Sequence, residues 1–325
     1  MARRGDDVPD HREGQRTVLT RRDDAPTVVV NTPFNETFYN EIAVALLYSE
    51  IAYQSVSSLQ GWDCTKCSDD KVSSTQVARI WDYHKPTTKG FMGYNKDQNT
   101  IVVSFDGTDS DGGGRNGWHA NYWIQMIKFP REVESNVSWG EASRGFTEAS
   151  ERAFINTKDD LINLADNYPD ASILVTGHSR GGALAALYAS LFMFKYPDYS
   201  PRVRILTFGQ PRIGNKDLAM QLNRFNYKYA YRICNWNDRV PFLPHRSFGY
   251  RQSYQEWWMR PREDTNQDQY ILYRCGDDEK LVGYVPHCQP LYKRLIHQGE
   301  QDHALDQYVK HFEEIGLNRN MGIIY

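Results

Sequence analysis

The sequence predicts an α/β fold with a mostly parallel central sheet flanked by helices. Three observations predict it. Short runs such as Thr100–Phe105 ("TIVVSF") and Val203–Phe208 are apolar almost throughout, as strands buried on both faces are. Helix-length segments separate these runs, giving the strand–helix alternation of such sheets. One stretch, residues 173–194 ("ILVTGHSRGGALAALYASLFMF"), turns from strand-like to helix-like at a glycine corner that carries a serine.

In chain order, Asn35–Tyr53 has apolar residues at helical spacing, and Thr100–Phe105 reads as a buried strand. Asp106–Gly117 reads as loop, with glycines at 112, 113 and 114. Trp118–Phe129 is expected to form a short amphipathic helix and Glu141–Asn167 a long one, ending before Pro169. Ser172–Thr176 reads as a strand, Gly181–Lys195 as a helix stopped by Pro197, and Val203–Phe208 and Tyr229–Cys234 as strands. His303–Ile315 reads as a last helix. His245–Gln301 is polar and irregular, an elaboration on the domain and not a second core. Residues 1–27 have too little apolar content to bury and read as a disordered tail, leaving 28–325 as a single domain.

Composition narrows the function. A formal net charge of -3 gives no reason to expect nucleic acid, whose binding needs a concentrated positive field. No run reaches the roughly 18 apolar residues of a membrane span. The first 27 residues lack an apolar h-region, so they are not a secretory signal as they stand. The sequons Asn35-Glu36-Thr37 and Asn136-Val137-Ser138 lean towards a secreted or endomembrane-lumen protein and leave the compartment open. Of the five cysteines, Cys64 and Cys67 read as a local disulfide or free thiols, and Cys234 as a buried free thiol. Cys275 and Cys288 could bridge. Neither a metal-ligand cluster such as H-E-x-x-H nor a phosphate loop is present, so no metal or organic cofactor is implied. Oligomeric state is left open.

Gly177-His178-Ser179-Arg180-Gly181 fits G-x-S-x-G. The pattern has a steric basis: a strained strand-to-helix turn projects the serine hydroxyl above the sheet, and flanking glycines give the turn room. Serine is a poor nucleophile until a base takes its proton, and with such elbows the carboxylate and then the histidine follow. Asp238, just past the strand Tyr229–Cys234, is the expected acid. The bases available downstream are His245, His287, His297, His303 and His311. His245 follows the acid too closely and His311 lies inside the last helix. His303, at the mouth of that helix, is favoured, with His297 second. The oxyanion needs donors, for which position suggests the backbone N–H of Arg180 and Thr108 after "TIVVSF".

Together these residues resemble the class 3 lipases, the fungal-type triacylglycerol lipases of the α/β-hydrolase fold. The likeness covers roughly residues 38–312 and rests on "IVVSFDGTDS", "GHSRGGALAAL", "FGQPRIGN", "NDRVPFLP" and "DHALDQY", in the family's order. It implies a serine ester hydrolase acting on lipid esters at an interface, with Ser179 as nucleophile, Asp238 as acid, His303 as base, and Thr108 and Arg180 as the oxyanion hole. It implies a lid over residues 109–125, with Trp118, Tyr122 and Trp123 as its apolar face, and a late disulfide that Cys275 and Cys288 would suit. Phospholipase A1 or galactolipase activity, a feruloyl-type esterase and a non-catalytic binding protein on the same scaffold are the alternatives. The chain departs from the family at two positions. The family usually has Arg where this chain has Asp106, and an aliphatic residue, usually Leu, where it has Arg180. The two opposite charges are expected to pair across their loops.

Overall fold

The computed structural model describes residues 36–108, 124–131, 139–261, 270–275 and 301–317. The strands are β1 (Thr75–His84), β2 (Thr87–Asn95), β3 (Thr100–Phe105), β4 (Met126–Lys128), β5 (Glu141–Ser143), β6 (Ser172–His178), β7 (Val203–Phe208), β8 (Tyr229–Asn235), β9 (Gln255–Pro261) and β10 (Tyr270–Arg274). The α-helices are α1 (Glu36–Ile51), α2 (Val56–Gly61), α3 (Arg144–Asn167), α4 (Arg180–Lys195), α5 (Lys216–Leu222) and α6 (Leu305–Leu317). Among the described residues one eight-stranded sheet dominates, in the order β1-β2-β3-β6-β7-β8-β9-β10. Its centre, β3 through β9, is parallel, and antiparallel pairs close both ends.

The apolar strands alternate between the two faces. Val103, Val175 and Ile205 pack with Phe146 of α3 and Ala183 and Leu187 of α4. Val102, Leu174 and Leu206 pack with Ile42 and Leu46 of α1 and Phe312 of α6. A side-chain period of two sends neighbours to opposite faces, so a sheet covered on both sides needs unbroken apolar runs. Helix α4 is buried from Arg180 to Met193, and its many Ala and Gly residues let it lie close against the sheet.

The register sets up the site. Phe105 pairs with Gly177, Gly177 with Thr207, and Phe208 with Ile233. Strands β3, β6, β7 and β8 therefore release their loops along one edge, the carboxyl edge where parallel sheets place their ligands.

Three sequence expectations need correction. Within Trp118–Phe129, residues 118–123 lie outside the described residues, and Met126–Lys128 is a strand pairing with Glu141–Ser143 instead of a helix. The long helix starts at Arg144 and not Glu141, because Ser143 caps it by accepting from the Phe146 N–H. The polar stretch after His245 contains β9 and β10, which extend the main sheet. A fully buried ion pair, Arg232–Glu256 at 3.0 Å across β8 and β9, places charges inside a central strand and masks the apolar pattern. Strands β1 and β2, to which the sequence reading gave no element, form an antiparallel hairpin at the other end. Residues 1–35, both sequons' asparagines, His287, His297 and Cys288 lie outside the described residues.

Candidate active site

The nucleophile candidate sits where the sequence put it. Strand β6 ends at His178, and Ser179 takes φ 58° and ψ -126°, a conformation that non-glycine residues rarely hold. Its N–H donates to Phe208 O at 2.8 Å, tying the turn to the end of β7. The flanking glycines are sterically required. A Cβ on Gly177 would lie 2.5 Å from the Gly181 carbonyl carbon, and one on Gly181 2.4 Å from Phe105 O.

Asp238 follows β8 in a turn closed by its own N–H to Asn235 O at 2.8 Å. It is fully buried, and its Oδ1 accepts from the Val240 N–H at 2.8 Å. His303 lies just before α6. Its Nδ1 is 2.9 Å from Asp238 Oδ2 and its Nε2 is 2.7 Å from Ser179 Oγ. A carboxylate can only accept, so Nδ1 carries the proton and Nε2 is free to accept from the serine hydroxyl. The structure thus brings Ser179, His303 and Asp238 into one hydrogen-bonded line. Gly209, with φ +58°, makes room for it: a Cβ there would lie 2.9 Å from Asp238 Oδ2 and 3.1 Å from the His303 ring.

Further residues that the sequence reading gave no role hold this line in place. The Tyr308 hydroxyl donates to Asp238 Oδ2 at 2.7 Å and accepts from the Asn235 N–H at 3.0 Å. Burial, then the Asp238 charge, raises the Tyr308 pKa well above the usual tyrosine value. Asn235 also donates from Nδ2 to Asp302 O at 2.9 Å. His178 is 2.9 Å from His303 O through Nε2 and 2.9 Å from the Tyr53 hydroxyl through Nδ1. The carbonyl can only accept, so Nε2 is the protonated nitrogen and Tyr53 donates to Nδ1. Burial first, and the neighbouring His303 second, push the His178 pKa well below 6.5, so the ring stays neutral. The one sequence signal for these supports was the tyrosine of "DHALDQY", which is Tyr308.

The loop after β3 passes directly under the elbow. A Cβ on Gly107 would meet the Tyr53 hydroxyl at 1.8 Å and His178 O at 3.0 Å. Thr108 follows it, half-buried, three residues past the end of β3. Arg180 opens α4, where the first N–H groups have no partner within the helix. The two unusual charges do pair: Arg180 Nη2 lies 3.0 Å from Asp106 Oδ1, with the side chains only 8% and 7% exposed.

The remaining expectations have the following outcomes. Trp118, Tyr122 and Trp123 fall outside the described residues, as do the glycines at 112, 113 and 114. Cys64 and Cys67 form a disulfide, and Cys234 is a buried free thiol. Cys275 is disulfide-bonded. His245 bonds to Ser247 in an exposed turn, and His311 bonds to Asn235 Oδ1 at 2.7 Å, so neither faces the serine. Among the described residues no group of His, Cys, Asp and Glu is placed to hold a metal ion. No described helix is long and apolar enough to cross a membrane.

The chain is similar in sequence and in fold to known lipases. The sequence profile described as "Lipase (class 3)" matches residues 102–248, from β3 to beyond Asp238. A lipase of Rhizomucor miehei is 28% identical over 199 residues, 61% of this chain and 52% of that protein. A secreted mono- and diacylglycerol lipase of Fusarium solani is 32% identical over 137 residues, 42% of this chain and 40% of that protein. The chain spans about half the length of the Rhizomucor and Rhizopus relatives it matches. The solved structure of Rhizomucor miehei triacylglyceride lipase superimposes with a TM-score of 0.60 at 25% identity, over 69% of this chain and 81% of that one. With the fold, the order of the motifs and these matches in agreement, the chain has the α/β-hydrolase fold and is similar to the class 3 lipases over residues 102–248.

Proposed function

We propose that this protein is a serine ester hydrolase acting on lipid esters, with Ser179, His303 and Asp238 as its catalytic triad. The observation that carries the reading is the Ser179–His303–Asp238 line, with contacts of 2.7 and 2.9 Å at the carboxyl edge of the sheet. His303 Nε2 takes the Ser179 proton as Oγ attacks the ester carbonyl, and the C–O bond to the leaving alcohol breaks as His303 returns that proton. Asp238 holds the Nδ1–H tautomer and stabilises the imidazolium. The N–H groups of Thr108 and Arg180 receive the developing oxyanion. Water, activated by the same histidine, then releases the carboxylic acid from the acyl-enzyme. These steps use only side chains, backbone and water.

Lipid esters are the favoured substrate because the relatives are named lipase and mono- and diacylglycerol lipase. The test is hydrolysis of a short-chain p-nitrophenyl ester below and above its solubility limit, with wild type and Ser179→Ala. The expected result is activity that climbs above the limit and is lost in the variant. Flat, Ser179-dependent activity would point to a soluble-ester hydrolase of the feruloyl type. A preference for phospholipid or galactolipid vesicles over triacylglycerol emulsion would make it a phospholipase A1 or galactolipase. Absence of activity on all of them would favour the binding-protein alternative.

A further inference from the structure

Arg180 has a side chain as well as a backbone N–H, and the side chain is spent on the oxyanion loop. Its Nη2 donates to Gly107 O at 2.7 Å and to Asp106 Oδ1 at 3.0 Å. The Gly107 carbonyl shares one peptide plane with the Thr108 N–H. Among the described residues the cis peptides lie elsewhere, so this one is trans. In a trans peptide the C=O and N–H point in opposite directions, and fixing one fixes the other. Gly107 is itself a residue of wide backbone freedom. Packing against Tyr53 and His178 demands a glycine there, so another group has to set the direction of its carbonyl.

We propose that the Arg180 guanidinium, anchored by Asp106, is a positioning group that aims and polarises the Thr108 N–H towards the oxyanion. This rests on the ester-hydrolase reading above. A planar guanidinium can hold a carboxylate and a carbonyl in fixed directions at once, which a compact ammonium does less well. A charged donor on the carbonyl draws electron density through the amide and strengthens its N–H as a donor, most of all where water is excluded. Asp106 does not oppose the oxyanion, because two cations face it. Arg180 is 3.0 Å from Oδ1, and Lys89 Nζ is 3.9 Å from Oδ2. Lys89 Nζ in turn donates to Tyr53 O at 3.2 Å and Gln54 O at 3.1 Å, fixing that side of the cluster. The exchange of charges relative to the family thus places a cation on the oxyanion loop from the helix side, with its counter-ion supplied by the strand.

The test uses Arg180→Met, which keeps the backbone N–H, and the double variant Asp106→Asn with Arg180→Met, which also removes the stranded carboxylate. Active sites are counted by end-point titration with a p-nitrophenyl alkylphosphonate, so that misfolded protein does not count. The expected result is a loss of about 10- to 100-fold in kcat per titrated site in both variants, with KM little changed. Affinity for an alkylboronic acid, whose tetrahedral adduct carries the oxyanion charge, should fall in parallel. A purely structural role would lower the titrated fraction and leave kcat per site intact. Recovery of wild-type kcat in the double variant overturns the proposal, since the pair would then only cancel its own charges. If Arg180→Met does not fold, Arg180→Lys replaces it: a comparable loss supports the assignment and an unchanged kcat overturns it. Wild-type turnover with unaffected variants removes only the Arg180 assignment. A wild type that neither turns over esters nor reacts with the phosphonate removes the ester-hydrolase reading beneath it.

Discussion

Asp238 accepts from three donors, the His303 Nδ1–H, the Tyr308 hydroxyl and the Val240 N–H. A buried carboxylate needs hydrogen bonds in place of the water it has lost. Tyr308→Phe removes one of the three and strands the Asn235 N–H as well. The expected cost is about 1–3 kcal/mol of stability in urea unfolding, with a several-fold fall in kcat. His178 differs in kind, since it acts on the backbone of His303 and not on its ring. His178→Phe should lower kcat about 5- to 10-fold with KM little changed, the loss of one hydrogen bond that aims the base. Unchanged kcat in both variants would show that the base needs no such support. Of these residues only Tyr308 carried a sequence signal, as the tyrosine of "DHALDQY". Ser179 announces itself by its glycines, and Asp238 and His303 by order and by their places at element ends. Tyr53, His178 and Tyr308 are single polar side chains beside apolar runs, and only the register brings them together.

At the scale of elements, the close approach of helix α4 to β3 decides the geometry. Gly181→Ala would put a methyl 2.4 Å from Phe105 O and 2.5 Å from Asp106 O, both backbone atoms that cannot rotate away. The elbow and the oxyanion loop would have to separate. The expected result is a destabilisation of about 1–3 kcal/mol in thermal or urea unfolding together with loss of turnover. Helix α6 carries a pH dependence of its own. His311 is buried against Tyr270 and bonded to Asn235, and burial lowers its pKa from 6.5 to about 4. The folded form therefore resists protonation that the unfolded chain accepts. Stability is full above pH 6.5 and declines as the pH falls towards about 4. His311→Phe keeps the ring stack and removes the titration, so the fall in Tm across that window should be shallower; an unchanged slope would assign it to other groups, His178 first among them. The central strands were legible because burial on both faces favours apolar residues, with the buried Arg232 of β8 as the charged exception. The end strands were not. Arg79, Asp82 and Lys89 interrupt β1 and β2, and β9 carries the buried Glu256 as its second residue. The 126–128 strand was read as helix because three residues carry too little period to tell one from the other.

At the scale of the molecule, the eight-stranded sheet among the described residues aligns four loops on a single edge, and in the proposed mechanism each loop has one part. The proposed oxyanion loop follows β3, Ser179 follows β6, Gly209 clears space after β7, and the proposed acid Asp238 follows β8. Helix α6 brings the histidine back from the far end of the chain. The fold class and the positions of Ser179, Asp238 and His303 were legible in the sequence, because the glycine corner and the order of acid and base are local signals, whereas the space that Gly209 clears was not. The packing of the supports around them depends on contacts between residues more than 100 positions apart, as between Tyr53 and His178 at 2.9 Å. The central claim is that this edge is an acyl-transfer site with Ser179 as nucleophile. The most direct measurement is reaction with an alkyl fluorophosphonate followed by peptide mass mapping of wild type, Ser179→Ala and His303→Ala. The account predicts one adduct per chain on Ser179, none in Ser179→Ala, and a rate at least about 100-fold slower in His303→Ala. An unmodified Ser179 in folded wild-type protein, or labelling that persists at full rate without His303, would contradict it.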